Sequence, residues 1–154
     1  DLRLILLGDG SQREHLLRIL QDADLNDKVF LGGRVPNQDL ITYYGAADLY
    51  VTPSHVDGSS VSLMEAMACG LPSVASDIPA NLEWVAEGQT GWLFPDGDSD
   101  ALAELLLRVP GFDLDAVGRR AREFAERHAD WQQNKQQLFL CWEKALTPSK
   151  GRYL

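Results

Sequence analysis

Between Pro53 and Glu65 the chain sets Ser54, Asp57, Gly58, Ser59, Ser60 and Ser62 around a short turn. An apolar helix-forming run follows from Val61 to Cys69 and is stopped by Gly70 and Pro72. Backbone N–H groups at the start of such a helix lack intrahelical acceptors and sit at the positive end of its dipole. They form a ready site for an anion such as a phosphate ester. Ser60 and Ser62 are placed as N-caps, which does not exclude ligand binding. Glu65, an acceptor-only carboxylate, suits a pair of hydroxyls. The Ser62-to-Glu65 spacing is equally that of a capping box, in which the glutamate reaches back to a free amide. Asp57 before Gly58 is equally an Asx-turn residue. His55 reads as polar surface in the same loop, with the wall of a pocket as the less favoured alternative.

Other spacings are weaker. Gly8-Asp9-Gly10 follows an apolar run, but Arg13 stands at the third glycine position and the next strand ends in Gly32 where a ribose-binding acid is expected, so an NAD site falls behind. Asp96-Gly97-Asp98-Ser99-Asp100 imitates a calcium loop, yet Ala101 replaces the required glycine and Leu107 the final acid. Asp98 or Asp100 as a helix N-cap explains it better. The Asp-x-Asp pairs there and at Asp22 and Asp24 lack the strand-end setting of a metal site. Ser54, His55 and Asp57 are too close in sequence to converge as a hydrolytic triad. Glu83 reads as a solvated helix residue.

The elements that must position these residues alternate. Leu2 to Leu7, Val29 to Leu31, Leu49 to Thr52, Ser73 to Ala75 and Trp92 to Phe94 read as buried strands. Helical patterns run near 12 to 22, 37 to 46, 61 to 69, 80 to 87 and 99 to 108. The alternation predicts an α/β, Rossmann-like, doubly wound parallel sheet with helices on both faces. The loops Gly8 to Ser11 and Ser54 to Ser60 then share the ligand-binding edge. From Asp113 to Leu146 the pattern is wholly helical. Val117, Ala121, Phe124 and Ala125 form one stripe and Leu138, Trp142, Ala145 and Leu146 another, both expected to pack on the sheet. Residues 1–146 read as one domain and 147–154 as a frayed, flexible tail.

The 154 residues carry 14 Lys and Arg against 23 Asp and Glu, a net charge of −9, which argues against nucleic acid and anionic membranes as partners. Cys69 and Cys141, far apart, predict neither a disulfide framework nor zinc, and point to the reducing cytoplasm. No apolar run approaches the ~20 residues that span a bilayer, and no leader is expected.

The stretch Pro53 to Asp77, with Asp57 and Glu65 framing E-A-M-A-C-G-L-P, resembles the donor-binding motif of family 4 glycosyltransferases, retaining enzymes of the GT-B architecture. L-I-L-L-G-D-G-S at 4 to 11, V-F-L-G at 29 to 32, A-D-L-Y-V-T-P-S at 47 to 54 and T-G-W-L-F-P-D-G-D at 90 to 98 continue the resemblance in the family's order. It implies that this is the C-terminal domain that binds a nucleotide-diphosphate sugar. Glu65 would accept from the ribose hydroxyls and Asp57 from hydroxyls of the transferred sugar. The amides of Val61 and Ser62, with Ser60 and Gly58 beside them, would hold the distal phosphate. Phe30 to Arg34 would lie beside the base, Gly32-Gly33 letting the backbone approach it. Aspartate in place of the family's usual glutamate at 57, and Gly58-Ser59-Ser60 in place of Gly-aromatic-Gly, imply an altered sugar pocket.

The resemblance further implies metal-independent transfer with no cofactor beyond the donor substrate. It implies an acceptor site on a missing N-terminal domain, with a membrane-associated acceptor among the options, and a last helix, opened by Asp130 and Trp131, that crosses back onto that domain. Asp1 leads into what resembles the family's second strand, so the first strand and helix, with an arginine and lysine that neutralise the diphosphate, are expected to be absent. The sheet is then expected either to close directly between 2–7 and 49–52 or to leave a gap for a neighbouring chain, and the fragment alone to be inactive. A non-catalytic nucleotide-binding or assembly module and a sugar-nucleotide epimerase of the same architecture stay open as alternatives.

Overall fold

Short β-branched and leucine-rich runs between glycine and polar turns leave strands and helices little choice but to alternate, and they do. The computed structural model describes residues 2–146. Its elements are β1 (Leu4–Leu7), α1 (Arg13–Asp22), β2 (Val29–Gly33), α2 (Asn37–Ala46), β3 (Tyr50–Thr52), α3 (Val61–Ala68), β4 (Ser73–Ser76), α4 (Pro79–Leu82), β5 (Gly91–Phe94), α5 (Ser99–Arg108), a 3-10 turn (Val109–Gly111), α6 (Leu114–His128) and α7 (Trp131–Leu146). The tail expected at 147–154 lies outside the described residues.

The chain divides into two compact units, 1–45 and 46–154. In the first, β1 and β2 form a parallel pair whose register shifts between Leu6 and Leu7, so that Leu6 faces Leu31 and Leu7 faces Gly33. The skipped residue is Gly32. A Cβ there would lie 2.7 Å from Leu7 Cδ2, and Gly33 has φ +66°. Glycine at both positions is thus accounted for by the bulge itself. Leu4, Ile5, Leu6 and Leu7 are each 36–44% exposed, because a two-stranded sheet cannot cover both faces of a strand whose sequence is apolar throughout.

In the second unit the parallel order is β3-β4-β5, with Tyr50 beside Ser73 and Val74 beside Trp92. Alternation along β4 sends successive side chains to opposite faces. Ala75 packs with Leu63 and Met67 of α3 and with Ala121 and Ala125 of α6, while Val74 packs with Trp92, Phe94, Val109 and Val117. Both faces are covered, and all of β4 is buried. The strands therefore form two parallel sheets. Among the described residues β1 pairs with β2, and β3 with β4.

Two helical expectations are corrected. The helix expected over 80–87 ends at Leu82, because Thr90 Oγ1 accepts from Ala86 N at 2.9 Å and donates to Trp84 O at 3.0 Å, diverting both groups from a helical ladder. The second stripe, expected to pack on the sheet, does not. Leu138, Trp142 and Leu146 are exposed and α7 buries no residue, whereas α6 buries Val117, Ala121 and Ala125 and packs Phe124 against them. The core of the second unit is already filled by α3, α5 and α6.

Candidate functional site

Three parallel strands of the second unit end side by side, and their C-terminal loops carry the chemistry, as open α/β sheets dictate. β3 runs into the loop 53–60, β4 into Asp77, and β5 into Pro95-Asp96-Gly97. The loop after β3 is tied at its base. Ser76 Oγ, fully buried at the end of β4, donates to Ser54 O at 2.5 Å, and Asn81 Nδ2 donates to Ser76 O at 2.9 Å and Ser76 Oγ at 3.2 Å. Thr52 Oγ1 and Ser54 Oγ lie 3.2 Å apart. His55 Nδ1 meets Asp96 Oδ1 at 2.6 Å, and the backbone N of Asp96 donates to Asp77 Oδ1 at 2.8 Å. Asp57 Oδ1 accepts from Ser59 N at 3.2 Å, the expected Asx turn.

The loop ends in α3, whose N-cap position is Ser60. Ser60 is buried, yet its side chain makes no capping bond, so the first-turn amides are not closed off by it. With the cap at 60, Ser62 is the second helical residue and Glu65 the fifth. That register takes Glu65 away from the cap, and the capping box read from the Ser62-to-Glu65 spacing does not form. Glu65 is half-buried instead. Tyr50 Oη donates to Ser62 Oγ at 2.7 Å from the end strand beneath. Burial raises the Tyr50 hydroxyl above its ordinary pKa, hydrogen bonds to Ser62 and Thr52 oppose this, and the negative charges of Asp57 and Glu65 add to the rise. Both carboxylates are therefore electrostatic neighbours of one half-buried phenol. Tyr50 is the site residue the sequence reading passed over. Tyr50 opens β3, and a polar-tipped aromatic in an apolar strand run was the available signal.

Asp57, Gly58, Ser60, Val61, Ser62 and Glu65 thus share one loop-to-helix junction. Gly32 and Arg34 belong to the first unit, at the end of β2, where Gly8 N donates to Gly33 O at 2.7 Å and Arg34 is exposed. Asp98 caps α5, accepting from Asp100 N and Ala101 N at 3.1 and 2.9 Å, which accounts for the Asp96–Asp100 run. No group of three His, Cys, Asp or Glu among the described residues could hold a metal ion. No helix among them is long and apolar enough to cross a membrane. Glu83 is exposed just past α4.

Residues 1–110 match the family model described as glycosyl transferases group 1. The amylovoran biosynthesis glycosyltransferase AmsK of Erwinia amylovora is 37% identical over 118 residues, which are 73% of this chain and 29% of that protein. Among solved structures, sucrose-phosphate synthase from Thermosynechococcus elongatus superposes with a TM-score of 0.83 at 28% identity, covering 96% of this chain and 39% of the enzyme. Anabaena HepE in complex with UDP-glucose gives 0.81 at 25%, covering 92% and 41%. The chain spans well under half of each of these proteins. The α/β, Rossmann-like architecture with a helical C-terminal end is that of GT-B glycosyltransferases.

Proposed function

The chain belongs to the group 1 glycosyl transferases, and we propose that it is the donor half of a retaining enzyme that moves a sugar from a nucleoside diphosphate to an acceptor hydroxyl. The observation that carries this is the junction at Ser60: Asp57, Ser62 and Glu65 gather around Tyr50 at a helix start whose Ser60 side chain makes no capping bond, after the C-terminal end of a strand of a parallel sheet. In this reading the amides of Val61 and Ser62, flanked by Ser60 and Gly58, take the distal phosphate. Glu65 accepts from the ribose diol and Asp57 from hydroxyls of the transferred sugar. Catalysis is then mostly positioning and stabilisation of the departing diphosphate.

Anabaena HepE, 25% identical, is solved in complex with UDP-glucose, which makes UDP the first nucleotide to test. AmsK acts in amylovoran biosynthesis, which favours a glycan hydroxyl as acceptor, bound by the part of the complete protein outside this chain. No metal or further cofactor is invoked. The free thiols Cys69 and Cys141 fit a reducing, cytoplasmic setting.

The test is titration of the complete protein with UDP, GDP, ADP and NAD, repeated on Glu65→Ala. One nucleoside diphosphate should bind. Loss of hydrogen bonds to a charged group, ~1.5–3 kcal/mol, should weaken it by about tenfold or more. Binding of NAD alone, or of none of the four, would defeat the reading.

A further inference from the structure

Between Arg34 and Arg108 the chain has eleven Asp and Glu and no Lys or Arg. The whole candidate site of the second unit falls in that interval. His55 is its one side chain of the type that takes up positive charge near neutral pH.

His55 is also held. Its Nδ1 lies 2.6 Å from Asp96 Oδ1 although the two are 41 residues apart, and Asp96 is itself tied through its backbone N to Asp77. An ionised carboxylate only accepts, so the proton of this bond sits on Nδ1 and Nε2 is left for another partner. Among the described residues His55 has no other hydrogen bond, and its side chain is 72% exposed. An exposed imidazole anchored on one nitrogen, two residues before Asp57, is oriented at the cost of side-chain freedom. A merely solvated histidine needs no such anchor.

We propose that His55, oriented by Asp96, supplies the side-chain positive charge that this chain brings to the distal phosphate of the nucleotide-sugar donor. The inference rests on the donor-site reading above. It adds a residue that touches the donor, His55, and a positioning residue, Asp96. The distal phosphate carries one negative charge in the donor and gains a second as the diphosphate departs; beside Asp57 and Glu65 it meets two negative carboxylates, and helix amides alone supply only about half a charge. Protonated at Nε2, the imidazolium donates a charge-assisted hydrogen bond to the phosphate while Nδ1 keeps its bond to Asp96.

The experiment is binding of UDP and of UMP to the complete protein and to His55→Gln, His55→Arg and Asp96→Asn, with thermal unfolding as the check on folding. His55→Gln should weaken UDP about tenfold and leave UMP unchanged, because UMP lacks the distal phosphate. His55→Arg, which keeps the charge, should stay within about threefold of the parent for UDP. Asp96→Asn should fall between. Unchanged UDP binding in His55→Gln, equal losses in the Gln and Arg variants, or parallel losses for UDP and UMP would each overturn the assignment while leaving the donor site standing. A parent protein that binds no nucleoside diphosphate would overturn the donor reading itself, and this inference with it.

Discussion

Substitution of Gly118 by alanine sets two effects of opposite sign against each other. Gly118 lies inside α6, where alanine is favoured over glycine by about 1 kcal/mol. A Cβ at this position would stand 2.1 Å from Gly70 O, 3.2 Å from Gly70 C and 3.3 Å from Pro72 Cδ. Relief requires roughly 1 Å of movement between two stretches of backbone, with no flexible side chain to give way. Gly70 cannot yield easily. It ends α3 with φ +83°, its N–H bonded to Met67 O at 2.9 Å while Leu71 N bonds Ala66 O at 3.0 Å, a Schellman closure of the helix that carries Ser62 and Glu65. Overpacking of this kind costs about 1–3 kcal/mol, and backbone on both sides puts it at the upper end. The net expectation is a loss of about 2 kcal/mol, or ~4–8 °C in Tm for a domain of this size. Thermal unfolding by circular dichroism reads it directly. A Gly118→Ala variant as stable as the parent, or more so, would show that helix propensity outweighs the contact and refute the packing argument.

Ser76→Ala removes the hydroxyl that holds Ser54 O and faces Asn81, leaving buried polar groups without that partner; a cost of about 1–3 kcal/mol is expected. Urea titration measures it, and an unchanged midpoint would count against the tie. The Tyr50 hydroxyl, raised by burial above the ~10 of an exposed tyrosine, ionises in the unfolded chain first. Its contribution is fully present below pH ~10 and is lost as pH rises through the higher folded value. Tyr50→Phe should therefore lose stability less steeply than the parent across pH ~10–11, and identical slopes would contradict the burial argument.

Much of the site is local and hence legible in order along the chain. Asp57 bonds an amide two residues on and Asp98 amides two and three residues on, so turn and cap chemistry read from neighbouring residue types survives folding intact. The strand runs kept their places because two-residue alternation and continuous apolarity are properties of short segments. What failed is equally specific. The cap of α3 sits at Ser60, two residues ahead of where Ser62 and Glu65 would have made a box, and α4 stops early because the Thr90 hydroxyl, four residues past Ala86 and six past Trp84, takes their backbone hydrogen bonds.

From its sequence alone this protein has its α/β class, its family resemblance, and the loop and helix that carry Asp57 and Glu65. These follow from periodicity, turn residues and motif spacing, all of which act over a few residues. Tertiary structure alone decided that Tyr50 lies under Ser62, that Ser76 and Asn81 tie down Ser54, and that His55 meets Asp96. It also decided that β1-β2 and β3-β4-β5 form separate sheets. Those pairings link residues as far as 41 positions apart through strand order and crossover geometry, which no local pattern of side chains encodes.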